Sequence, residues 1–134
     1  MRPLTLLLGL ILAAPLGAAT LGEESGFEVN ALGGSDFEVL RQQQMGATEM
    51  WCAAASYVEV RQGLSETTPI YLRRPLGPAQ SAQGRRSVVF SLSNSGLPAD
   101  DLGRVSINAD TPGMMMKSAA ARRFCRDAFT RSTK

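Results

Sequence analysis

The chain holds two cysteines, Cys52 and Cys125, so only one internal cross-link is open to it. That link would close a loop of about 73 residues. In the chain-entropy account such a closure stabilises a fold by roughly 4 kcal/mol, less any strain. Whether it forms depends on the compartment. The opening "MRPLTLLLGLILAAPLGAAT" sets one Arg before an apolar run from Leu4 to Leu16, with Gly17 and Ala19 at the small positions a signal peptidase requires. The run is short of the roughly 20 residues a membrane-spanning helix needs. The pattern predicts a signal peptide over 1–19, cleaved after Ala19, with no membrane segment in what remains. It implies a periplasmic or secreted protein. An even cysteine count in an oxidising compartment favours a structural Cys52–Cys125 disulfide over a redox thiol or an unpaired cysteine.

The composition excludes whole classes of chemistry. The chain has no histidine. Cys–His nucleophiles, Ser–His–Asp triads and His-ligated zinc sites are therefore ruled out. No CxxC pair, S-x-x-K spacing or phosphate-cradling glycine pattern occurs, and no cofactor is implied. Carboxylate pairs exist by adjacency alone, at Glu23–Glu24 and Asp100–Asp101, in loop-like sequence. The Met114–Met116 run, with Met45 and Met50, has thioether donors suited to soft metals. Three consecutive residues on a helix point three ways, so core filling is the better reading.

Periodicity predicts an α+β domain over 36–134, preceded by a flexible leader at 20–35 in which Phe27 to Val29 could instead pair at a sheet edge. Residues 36–41, 68–73, 86–94 and 104–110 alternate as strands do. Residues 49–62 read as a helix with Thr48 as N-cap, Trp51, Ala54, Ala55 and Val58 on one face, and Gly63 just past its end. A second helix is expected from Pro112, with Met114, Ala121, Phe124 and Cys125 on its apolar face. "PLGPAQSAQGRR" reads as a long loop. The expected architecture is a three- to four-stranded, mostly antiparallel sheet with two helices on one face, joined by the disulfide. The segments "WCAAASY" and "GPAQSAQGRRSVVF" and the closing "FC" resemble a family of small exported proteobacterial proteins of unassigned function. That resemblance implies a single exported domain and no particular chemistry.

Charge is the remaining signal. Residues 20–66 carry eight acidic and two basic residues, and 67–134 carry eleven basic and four acidic. A basic surface from Arg73, Arg74, Arg85, Arg86, Arg122, Arg123 and Arg126 could bind an anionic envelope component or an acidic protein. The competing expectation is that the acidic half neutralises it. No aromatic residues interleave with these arginines, and export argues against nucleic acid. The expected function is an exported, non-enzymatic binding domain. The alternative is a His-free carboxylate hydrolase acting on an envelope substrate.

Overall fold

A computed structural model describes residues 26–100 and 107–126. The expected signal peptide and the Glu23–Glu24 and Asp101 carboxylates lie outside the described residues. The fold is α+β. Five strands form one antiparallel sheet in the order β1-β2-β4-β3-β5, and two helices pack together and are joined by the disulfide. The strands are β1 (Val29–Gly33), β2 (Asp36–Leu40), β3 (Pro69–Pro78), β4 (Arg86–Ser91) and β5 (Met115–Lys117); the helices are α1 (Ala47–Ser56) and α2 (Ser118–Arg122).

Alternation explains why β2 and β4 sit at the centre. Phe37 and Val39 of β2 and Val88 and Phe90 of β4 point to one face, joined by Ile70 and Leu72 of β3. Helix α1 covers that face. Its three consecutive alanines, Ala53–Ala55, are fully buried, and their small side chains bring the helix close to its neighbours. Trp51 fills the gap that remains, edge-on to Phe90 with ring centroids 4.9 Å apart. Its indole N–H donates to the Asn108 carbonyl at 2.8 Å, so the buried nitrogen is satisfied. The helix starts two residues earlier than expected, after Gly46 rather than Thr48. Glu49 accounts for the shift: its carboxylate accepts the Gly46 N–H at 2.9 Å. Beyond Ser56 the chain widens into a π-helical turn, Tyr57–Arg61, and then stops at Gly63, which takes a left-handed φ of 65°.

Five expectations need correction. The count of three to four strands becomes five. The leader does not stay outside the sheet, because Val29–Gly33 turns through Gly33 and Gly34 and pairs with β2. The long loop shrinks to 79–85, because β3 continues to Pro78. Two register shifts, between Leu72 and Arg74 and between Arg74 and Gly77, absorb the proline and glycine that looked like breakers. The C-terminal helix does not begin at Pro112. Thr111 to Met114 form a turn closed by Met114 N–H to the Thr111 carbonyl at 3.2 Å, with Gly113 at φ 89°. The methionines after it pair with β3 as a strand, and helix begins only at Ser118. Of the strand expected at 104–110, residues 107–110 carry no strand, and Asn108 Oδ1 instead accepts the N–H groups of Asp110 and Thr111. Residues 104–106 lie outside the described residues.

Gly113 has a second constraint. A Cβ there would meet the Pro98 carbonyl oxygen at 2.2 Å. Gly113→Ala is expected to cost about 2 kcal/mol from left-handed strain and this collision. Urea denaturation of the variant checks it, and unchanged stability would show that the 98–113 contact yields freely.

Candidate functional site

The structure does not gather the seven arginines into one surface. Arg73 Nε lies 3.2 Å from Asp36, and its guanidinium also donates to the carbonyls of Ser93 and Ser95. Arg74 donates to Ser87 Oγ at 2.7 Å and lies 4.0 Å from Glu38. Arg85 pairs with Glu28 at 2.9 Å. Arg122 pairs with Glu59 at 3.2 Å. These four ion pairs each join a carboxylate from the acidic half to an arginine from the basic half. Arg86, Arg123 and Arg126 are exposed.

The first two pairs lie on the sheet face away from α1, where the alternation pattern carries no sign of burial. Glu38 is fully buried there. Its carboxylate accepts the backbone N–H groups of Gln80 at 3.1 Å and Ser81 at 2.6 Å, and the Ser87 hydroxyl at 2.6 Å. The Ser81 hydroxyl is a further donor. Successive N–H groups aimed at one carboxylate form an anion-binding nest. Burial alone would raise the Glu38 pKa, but the hydrogen bonds from Ser81, Ser87 and Gln80 outweigh it and hold it at about 2, against an ordinary 4.5. The loop 79–85 is thereby pinned across the sheet. The shift at Arg74 lets two consecutive arginines reach carboxylates of β2 on this face. Gly77 gives the Arg74 guanidinium room, because a Cβ there would lie 2.2 Å from its Nη1. Glu38 is an ionised structural group closed off from solvent, which leaves it no part in proton transfer.

The open site lies at the helices. Cys52 and Cys125 are bonded, with Cα atoms 4.8 Å apart. The helices run antiparallel past each other. Seven residues beyond Cys52 comes Glu59; seven before Cys125 comes Ser118; and the Ser118 hydroxyl donates to Glu59 at 2.6 Å. Arg122, three before Cys125, binds the same carboxylate. Glu59 reaches both from the π-helical turn, a local widening that recurs at functional sites. Beside this cluster is an open groove of about 490 Å³ lined by Glu59, Glu66, Ala119, Arg122, Arg123, Cys125 and Arg126. Three of the predicted arginines therefore meet in one place. Arg73, Arg74 and Arg85 are spent on the opposite face of the sheet or its edge, and Arg86 stands apart at the start of β4.

Glu59, Glu66 and Ser118 escaped the sequence reading. A signal for two of them was present: once Cys52 and Cys125 are bonded, an antiparallel helix pair must set Glu59 against Ser118. Among the described residues, no group of three or more His, Cys, Asp or Glu side chains could hold a metal ion. No described helix is long and apolar enough to cross a membrane. No protein-family model, curated protein or solved structure matches the chain.

Proposed function

We propose that the protein is an exported binding domain that engages an anionic envelope component through the groove beside α2. The apolar start of the sequence and its resemblance to small exported proteins support export. The observation that carries the binding reading is the convergence of Arg122, Arg123 and Arg126 on one open groove, three guanidiniums against the carboxylates of Glu59 and Glu66. Arg122 is drawn in by Glu59, which orients it, and Arg123 and Arg126 line the same groove from just beyond α2. Guanidiniums recognise phosphate and carboxylate oxygens through paired N–H donors, which suits a phosphorylated headgroup or an acidic glycan.

The test is co-sedimentation with phosphatidylglycerol-containing vesicles, with phosphatidylcholine vesicles as the control. Wild type is expected to bind the anionic vesicles at low salt and to lose most binding at physiological ionic strength, where exposed charges beyond about 8 Å are screened. Arg123→Gln with Arg126→Gln should abolish binding and change stability by less than about 0.5 kcal/mol. Arg73→Gln with Arg74→Gln should instead lower stability and leave binding intact, because those side chains are engaged inside the fold. Absence of wild-type binding at low salt would overturn the proposal. A second reading, a carboxylate hydrolase, draws on Glu59 and Glu66 lining the same groove. It requires turnover of an envelope glycan or ester that Glu66→Gln abolishes.

A further inference from the structure

We propose that the groove beside α2 selects a zwitterion, a phosphate with a primary ammonium group a short distance away, as in an aminoalkyl phosphate. The proposal rests on the groove being a ligand site, and it narrows which anion that site takes. The groove is lined by charges of both signs, and they are not equally available. Glu59 is engaged within the wall: it accepts from the Ser118 hydroxyl at 2.6 Å and from Arg122 at 3.2 Å. Glu66 and Arg123 differ. Both are exposed and line the groove, and among the described residues neither side chain makes a hydrogen bond or an ion pair. A carboxylate and a guanidinium thus stand in one groove without closing on each other.

The backbone holds them apart. Glu66 sits in a turn closed by the Thr68 N–H to the Ser65 carbonyl at 3.0 Å, and its own carbonyl accepts the Ala119 N–H at 2.8 Å. That second bond fixes Glu66 beside Ala119. Arg123 follows Ala119 by four residues, about 6 Å along a helix axis, and Arg126 lies further on in the same direction. The groove is therefore acidic toward one end and basic toward the other. A plain anion gains from Arg123 and is opposed by Glu66. A ligand with an ammonium beside its phosphate satisfies both. Its phosphate oxygens accept from the guanidinium, and its ammonium N–H groups donate to the Glu66 carboxylate. A quaternary ammonium has no N–H to donate and fits less well.

The experiment titrates the full chain at low salt with two soluble phosphate monoesters, phosphoethanolamine and glycerol phosphate, which differ in the amine. Amide shift changes in NMR spectra read the affinities. Phosphoethanolamine is expected to bind about two- to fivefold tighter, the worth of one exposed ion pair. Glu66→Gln should erase that preference, and Arg123→Gln should weaken both ligands. Both side chains are exposed, so the spectra of the free variants should report an unchanged fold. A second arm uses phosphatidylcholine vesicles with and without phosphatidylethanolamine. Glu66-dependent binding to the ethanolamine vesicles would assign the ligand to a lipid headgroup; Glu66-dependent binding of the soluble ester alone would assign it to a free aminoalkyl phosphate. Equal affinities for the two esters, a preference that survives Glu66→Gln, or no binding of either would each overturn the inference. If the two esters bind equally while phosphatidylglycerol vesicles still bind through Arg123 and Arg126, the selectivity falls and the anion-binding function stands. If neither ester nor any vesicle binds, both fall.

Discussion

Glu38→Ala is expected to destabilise the fold by about 3–5 kcal/mol at pH 7, the range seen when one partner of a buried charge network is removed. The truncation removes the acceptor of two backbone N–H groups and two serine hydroxyls, with Ser87 fully buried among them, and takes the carboxylate from beside Arg74, which keeps its bonds to Ser87 and Pro75. Each lost partner leaves a donor that burial penalises. The loop 79–85 would lose its attachment to the sheet, while the aromatic core on the other face is untouched. Guanidinium or urea denaturation measures the effect, and a loss under about 1 kcal/mol would show that the network is dispensable. The pH dependence is a second readout of the same group. Folding lowers the Glu38 pKa from 4.5 to about 2. The stability it contributes is thus complete above about pH 4.5 and is lost as the pH falls toward 2. The shift corresponds to about 3 kcal/mol. Glu38→Gln should flatten the wild-type acid limb between these two values. An unchanged limb would assign the acid sensitivity to other carboxylates.

Loss of the disulfide is the other large effect. Cys52 and Cys125 are 73 residues apart in sequence, and Cys52→Ser with Cys125→Ser is expected to cost about 4 kcal/mol by the loop-closure argument. Two features make the bridge matter locally as well. Helix α2 spans only Ser118–Arg122, far too short to be helical by propensity. Ala121 is fully buried on it and packs in the core, so detachment of α2 also exposes apolar surface. Chemical denaturation of the double variant measures the total. Hydrogen exchange separates the two parts: protection should fall first over 118–126, while β2 and β4 keep theirs. Wild-type stability in the double variant would remove the bridge from the forces that hold the fold.

The elements that were legible in the sequence obey one local rule each. Strand β4 alternates Val88 and Phe90 inward, helix α1 is alanine-rich and ends at Gly63, and two cysteines leave one pairing. What escaped were places where a non-local partner overrides local preference. Methionine favours helices, yet Met115 and Met116 become strand because the Pro112–Gly113 turn delivers them to the free edge of β3. Pro75 and Gly77 punctuate most sequences, but here two register shifts carry the strand past them. Glu38 alternates with Phe37 and Val39 as a solvent-facing residue would. Only the return of residues 79–85, forty positions later in the chain, encloses it. The basic surface was half visible. Charge segregation was plain, but pairing across strands decides which arginines remain at the surface, and pairing is a property of the fold.

The strand order carries a consequence for how the chain assembles. Strand β4 lies between β2 and β3, and neither of those touches the other. Before residue 91 is available the earlier strands are an open-edged hairpin and a lone ribbon with no shared hydrogen bond. The sheet therefore cannot grow strand by strand from its beginning. Its first four strands come together only when β4 arrives, pairing locally with β3 and with β2 about fifty residues away, and that long closure carries the larger entropy cost; β5 then adds to the edge of β3. Strand β4 acts as a keystone: a chain truncated ahead of it has two half-arches and nothing to lock them.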